Sequence, residues 1–425
     1  MRFGFVAVNV AAALLTGCGW YGDTPSDPSP QVSAPAPGTA PATAPPAAAP
    51  APAPTPAPVA TPAPAPAPTP TPTTLKYNVI DIGTLGGDVT PEGLNDSDTV
   101  VGQSRLTGSM GVWHAVEWQP ACQCLTDLAV TADETSVAYG VNDAGQVAMT
   151  SAPSLSGAST AVVWQAGTRS ALPGASAGAQ AINSAGMVAG SASWAAAVGA
   201  SQATLWTTQN GAYTATDLGA LGPRGDALFS SSTGINSLNH VVGSSSTTAY
   251  SGCGGGLQPL VHGFFWNGTT MIDLGSLSAV GGNSGAAAIN SNDLIVGATD
   301  AGTACGSVTS HAFSYSNGVM SDLGTLGAPT LMSAANGVND TGEIVGSSSI
   351  DSTGTQHGFI IENGVMIDLN TRIDPTNALA PYVTVTAANA INCNGDVIAF
   401  GSDSRDTRQH GFLMVREGAA RQGCP

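Results

Sequence analysis

The chain is short of charge, and shortest of positive charge. Lys and Arg together number 10 in 425 residues, against 28 Asp and Glu, for a net charge of −18. Nucleic-acid binding needs a basic face, so that class is excluded. The same deficit opposes direct docking on an anionic lipid surface unless divalent cations intervene. Beyond the N-terminus there is no long apolar run, so no membrane-spanning segment is expected there. No stretch of ten residues carries a helical period. The seven cysteines show no zinc-ligand spacing: Cys122 and Cys124 form C-x-C, and the others are isolated. What remains abundant is Gly, with 54 copies, together with Val, Ile, Thr and Ser. That is all-β composition.

The N-terminus is of a different kind. "MRFGFVAVNVAAALLTGC" has Arg2, a short apolar stretch and then Leu15-Thr16-Gly17-Cys18. The apolar run is too short to span a bilayer and reads as an export signal over residues 1–17. Its end resembles the bacterial lipobox, which implies that Cys18 is lipidated and that residues 18–23 are an anchor segment. Gly19 follows where Asp would favour inner-membrane retention, so the resemblance implies the outer membrane, facing the periplasm or the cell surface. Residues 24–74 hold most of the 29 prolines, interleaved with Ala, Thr and Ser. Such a segment has too little apolar surface to offset its ordering entropy and is expected to be a disordered stalk. In polyproline II form it would reach on the order of 150 Å.

Residues 75–425 are built from a repeat. An Asn-centred element occurs as "GLNDSDTVVG", "GVNDAGQVAM", "AINSAGMVAG", "GINSLNHVVG", "AINSNDLIVG", "GVNDTGEIVG" and "AINCNGDVIA". Its asparagines are Asn95, Asn142, Asn183, Asn236, Asn290, Asn339 and Asn392. Asn-Asp-x-Gly and Asn-Ser-x-Gly between β-prone runs predict tight hairpins. Each repeat holds four short strands, a to d, in about 50 residues, the size of a propeller blade. Strand a is small throughout, as the crowded inner strand of a ring requires. The folded part opens with a d-type strand, "LKYNVIDIG", and its last repeat lacks a clear strand d. The expected fold is therefore all-β, a seven-bladed β-propeller in which Tyr77 to Leu85 completes the seventh blade. An open β-solenoid is the alternative. A closed ring leaves few free edges.

The His-Ala-Phe and His-Gly-Phe units, "DLGTLGG" and the N-D-x-G-x-V-V-G element resemble the HAF family of predicted extracellular repeats, from about residue 76 to 415. The resemblance implies an extracellular place and no mechanism. Repeats two and three depart from it: Thr160 and Gln202 replace the histidine, and Ala171 replaces the strand-d aspartate.

Little in the sequence points to catalysis. His114, His262, His311, His357 and His410 occupy one repeat position, and sevenfold-related positions point apart; His240 lies elsewhere. Their expected partners are main-chain groups or the strand-d aspartates Asp81, Asp127, Asp217, Asp273, Asp322 and Asp368. Gly174-Ala175-Ser176-Ala177-Gly178 matches the nucleophile elbow, but that device needs a strand-to-helix turn in an α/β sheet. Asp96 and Asp98 lack the further ligands of a calcium loop, so no cofactor is expected and calcium is left open. No catalytic or metal-ligating residue is assigned.

Recognition is expected on one rim. The a–b and c–d turns are uniformly tight, whereas the b–c and d–a connections vary, and variable loops on a rigid scaffold usually carry binding. Trp113, Trp194, Tyr250 and Tyr382 lie in those connections and can stack on a sugar or anchor a protein. The reading is a monomeric, lipid-anchored binding or scaffolding module for a glycan or protein at the cell envelope. One rival is a hydrolase or lyase on polysaccharide, using acids such as Asp226, Asp300 and Asp374; another is a passive surface protein. Loop placement predicts disulfides Cys253–Cys305 and Cys393–Cys424, with Cys122 and Cys124 pairing locally or staying reduced.

Overall fold

The protein is described from a computed structural model, which covers residues 75–418 apart from 109–110, 154–156, 195–200, 224–227, 251–258 and 303–308. The described strands form seven antiparallel sheets that follow one another round a ring. The first blade comprises Gly86–Leu94, Val100–Leu106, Trp113–Gln119 and Cys124–Asp127 as strands a to d. The fourth comprises Ser230–Ile235, Val241–Tyr250, Pro259–Trp266 and Met271–Asp273. The fifth adds a short strand, Leu277–Ser278, parallel to its strand b. The seventh takes Val383–Ile391, Val397–Asp403 and Gln409–Arg416 from the C-terminal end and Tyr77–Asp81 from the start of the domain. The ring is a seven-bladed β-propeller closed as its unequal ends suggested, and not a solenoid.

The closing strand is shorter than the sequence suggested. Tyr77 to Asp81 pair with Arg416 to Phe412 in unbroken register. Beyond it the Asp81 Oδ1 accepts the Gly83 amide at 2.8 Å, and Gly83 takes φ 77°, so the chain turns off toward the first blade before Leu85. Tyr77 is fully buried, and its hydroxyl donates to the Gly395 carbonyl at 3.2 Å. Burial pushes its pKa up to about 12. The Arg416 guanidinium sits beside this ring and pairs with Glu343 of the sixth blade at 2.7 Å.

Strand c supplies the bulk of the core. Trp118, Trp206, Phe264, Phe313, Phe359 and Phe412 all lie on it and are fully buried between blades. The c–d turns Asn317-Gly318 and Asn363-Gly364 place both residues at positive φ, the primed turn whose twist matches a hairpin.

Strand a bends in every blade. Its ladder to strand b skips one residue: Glu92, Tyr139, Gln180, Thr233, Ala287, Asn336 and Asn389 have no partner opposite. Each is a β-bulge three residues before the repeat asparagine. A bulge frees one residue from the ladder and re-aims its side chain. The bulge presses strand a against strand b, and the glycine of "VVG" and "IVG" lies at that contact. A Cβ at Gly243 would stand 2.0 Å from the Ser231 carbonyl oxygen, and one at Gly346 2.0 Å from that of Ala334.

Candidate functional site

The two rims are chemically unlike. On the tight-turn rim the repeat asparagines form a closed circuit. Asn95 donates through Nδ2 to the Asn142 carbonyl at 3.1 Å, Asn142 to Asn183 at 3.0 Å, and Asn183 to Asn236 at 3.0 Å. Asn236 donates to Asn290 at 3.0 Å, Asn290 to Asn339 at 2.9 Å, Asn339 to Asn392 at 3.1 Å, and Asn392 back to Asn95 at 3.2 Å. The amide oxygen faces its own turn: Asn290 Oδ1 accepts the amides of Asn292 at 3.0 Å and Leu294 at 2.9 Å. Sequence reasoning assigned these residues to hairpin turns; they also join each blade to the next. The neighbouring carboxylates belong to the same lattice. Asp96 accepts the Cys393 amide at 2.9 Å, and Asp98 accepts the Asn392 Nδ2 at 3.1 Å, which gives the candidate calcium pair a structural task.

The repeat histidines are likewise occupied. Nδ1 faces the strand-d carboxylate at 2.8 Å in His114–Asp127, His262–Asp273 and His311–Asp322, and at 2.7 Å in His357–Asp368. His262 Nε2 meets the Gly282 carbonyl at 3.1 Å and His311 Nε2 that of Pro329 at 3.0 Å, so both rings are used on both sides. His410 binds Asp81 across the closing strand at 2.8 Å and Asp406 at 3.0 Å. Burial pulls the His410 pKa down, but the bonds to Asp406 and Asp81 outweigh it and leave it above the usual histidine value. These pairs stay within their own blades and do not converge. His240 pairs with Asp293 at 2.8 Å and sits edge-on to Phe265. Ser176 lies at the start of a β-strand with no helix after it, so its motif is no nucleophile elbow.

The variable-loop rim carries the four aromatics, with differing surroundings. Trp113 opens a strand c and Tyr250 ends a strand b, so both lie at strand ends. Trp113 is partly buried with the Arg105 guanidinium over its ring at 5.9 Å. Trp194 is fixed by its Nε1 donating to Thr204 Oγ1 at 3.0 Å, and it borders a depression of about 390 Å³ shared with Pro173, Tyr213 and Ala215. Tyr250 is 55% exposed. Tyr382 is 41% exposed, with the Arg405 guanidinium 4.8 Å from its ring centre. The rival catalytic acids are not gathered: Asp300 accepts the Asn283 amide at 2.8 Å, and Asp374 that of Thr376 at 2.7 Å. Asp226 lies outside the described residues.

A cavity that the sequence did not reveal runs along the axis. It encloses about 330 Å³ and is lined by the bulge residues, with the aliphatic residues that precede each asparagine, from Leu94 to Ile391, below them. Glu92 is its one carboxylate among the described residues. It is partly accessible, but from within the channel, with protein on its other sides. Burial pushes its carboxyl up to about 8, opposed by Gln103 Nε2 donating to Glu92 Oε1 at 3.4 Å. Tyr139, in the next blade, is raised by burial and then by Glu92. Three residues ahead of the seven asparagines the sequence reads E, Y, Q, T, A, N, N, but positions within the turn vary as much, so sequence alone does not single these residues out.

Among the described residues no three His, Cys, Asp or Glu side chains are grouped to hold a metal ion. Cys122 and Cys124 form a disulfide with Cα atoms 5.1 Å apart. Cys393 is also disulfide-bonded. Cys18, Cys253, Cys305 and Cys424 lie outside the described residues.

No protein-family model and no curated protein matches the chain. Among solved structures it is similar to the β-propeller domain of the Trilobed protease from Pyrococcus furiosus, at 8% identity and TM-score 0.44, over 79% of this chain and 95% of that one. It is similar to a gluconolactonase from Xanthomonas campestris at 8% identity and TM-score 0.35, over 81% and 91%. A Pyrococcus horikoshii acylaminoacyl peptidase is similar at 8% identity and TM-score 0.44, over 78% of this chain and 52% of that one.

Proposed function

We propose that this chain is a lipid-anchored module of a bacterial outer membrane, whose propeller binds a glycan or a protein through its variable-loop rim. The observation that carries the reading is the difference between the rims. On the tight-turn rim, asparagine amides and turn carboxylates are consumed in holding blade to blade. The opposite rim holds the longer connections and, in Tyr250 and Tyr382, exposed aromatic faces. An aromatic face with a guanidinium beside it suits a sugar ring or a protein side chain.

The strand Tyr77–Asp81 begins beside Gly395, in the a–b turn of the seventh blade, so this strand starts on the tight-turn rim. The test is a glycan and protein array probed with the full chain. Tyr250→Ala with Tyr382→Ala is expected to abolish the strongest signal, and Asp143→Asn or Asp340→Asn to leave it unchanged. Loss with the turn variants and retention with the aromatic ones would assign binding to the other rim.

A further inference from the structure

The axial channel is a second site with its own chemistry. Asn336, Asn389 and Glu92 are bulge residues of three successive blades, the sixth, seventh and first, and all three line the channel. The amide nitrogens of the two asparagines are already engaged. Asn336 Nδ2 donates to the Ala388 carbonyl at 3.0 Å and Asn389 Nδ2 to that of Pro91 at 2.8 Å. What each amide keeps is its oxygen, which accepts and cannot donate, beside one further N–H. With the Glu92 carboxyl they make an arc of oxygens in a wall made mostly of small and aliphatic residues. Tyr139 continues the arc with an aromatic ring. Toward the tight-turn rim stand aliphatic side chains, Leu94 and Ile391 directly below the arc.

We propose that the channel binds a small organic ammonium, its N–H head on the oxygens of Asn336, Asn389 and Glu92 and its apolar body against the aliphatic collar. An anion would meet the amide oxygens of Asn336 and Asn389 and the field of a chain with net charge −18. A calcium ion, which takes about six to eight oxygens, would find too few side-chain oxygens here. An ammonium donates three hydrogen bonds and answers an arc of acceptors. The cavity is of a size that holds a small molecule. With no cation beside it, the Glu92 carboxyl is raised by burial to about 8 and is mostly protonated at neutral pH. Entry of the ammonium converts it to a carboxylate, and the proton leaves to solvent, so one proton is released per ligand bound. This site is independent of the rim aromatics.

The experiment is calorimetric titration of the full chain at neutral pH with cyclohexylammonium and, separately, with its neutral counterpart cyclohexanol. Each is run in two buffers of different protonation enthalpy. The ammonium is expected to bind at one saturable site, at least ~10-fold tighter than the alcohol, with a heat that changes with buffer in the sense of proton release. Glu92→Gln, which keeps the side-chain shape, is expected to weaken binding by the same factor and to abolish the buffer dependence. The Tyr250→Ala, Tyr382→Ala double variant is expected to bind the ammonium normally. Equal binding of ammonium and alcohol, a buffer-independent heat, or unimpaired binding by Glu92→Gln would overturn the proposal. If Glu92→Gln does not fold, the first two measurements on the unaltered chain decide it.

Discussion

One side chain per blade carries much of the organisation. The repeat asparagine accepts main-chain amides of its own turn and donates to the carbonyl of the next turn, and it is nearly buried in all seven copies. Asx geometry explains the turn; the amide nitrogen explains why asparagine stands there and not aspartate, which has no donor. Removing the group leaves buried amides and a carbonyl without partners. Asn290→Ala is therefore expected to destabilise the domain by about 2–3 kcal/mol, read as a lower melting midpoint. A loss within experimental error would show that water replaces the circuit at no cost. The His410 bridge gives a pH signature. Its pKa is raised in the fold, so its stabilisation is full below the unfolded histidine value, near 6.5, and is lost as pH rises through the raised value. Its partner Asp406 is depressed, so that carboxylate contributes above the ordinary aspartate range and is lost in acid. The melting difference between the native chain and His410→Gln should be largest in mildly acidic buffer and shrink above neutrality. Glutamine is a fair replacement, since Gln202 takes this position in the third blade and donates to the Leu228 carbonyl.

At the scale of the element, strand a departs from a regular ladder seven times at one place. That defect makes the channel wall, and in five blades a glycine stands opposite it, whereas the second and seventh have Met149 and Ala399 there. Gly346→Ala should cost about 1–3 kcal/mol, as overpacking does, because the added carbon would lie against the Ala334 carbonyl oxygen. Differential scanning calorimetry checks it, and an unchanged midpoint would mean that the bulge relaxes freely. The closing strand is the other critical element. Deleting Tyr77 to Asp81 removes the partner of Gln409–Arg416 and exposes its edge. The truncated chain should melt earlier and self-associate, since an open edge recruits other strands. Light scattering that finds it monomeric, with an unaltered melting midpoint, would mean that closure does not depend on this strand.

At the scale of the molecule, one rim joins blade to blade and the other carries the longer connections. The propeller ring is continuous, and each blade buries its apolar face against both neighbours, so the rim loops can vary without disturbing the core. Mass spectrometry of the native N-terminus is expected to find acyl groups on Cys18; an unmodified start elsewhere would remove the anchor from the proposal. Non-reducing peptide mapping is expected to join Cys393 to Cys424 and Cys253 to Cys305. A different partner for Cys393 would place the C-terminal residues away from the first turn of the seventh blade.

Repeat length, turn chemistry and the mismatched ends were enough to determine blade number, closure and the use of histidine, because each depends on local pattern or on a count. Asn317-Gly318 marks its turn whatever lies around it, and a repeat region that opens on a strand d and whose last repeat lacks one has one economical way to bury both edges. The role of the seven asparagines was half legible: the turn they cap is local, but the carbonyl they reach lies about 50 residues away in sequence. The channel was decided by the fold alone. Glu92, Tyr139, Asn336 and Asn389 become neighbours because seven bulges turn toward one axis, and nothing in their separate contexts marks them as a group. The elevated Glu92 carboxyl follows from the same placement, since burial at the channel wall is what raises it.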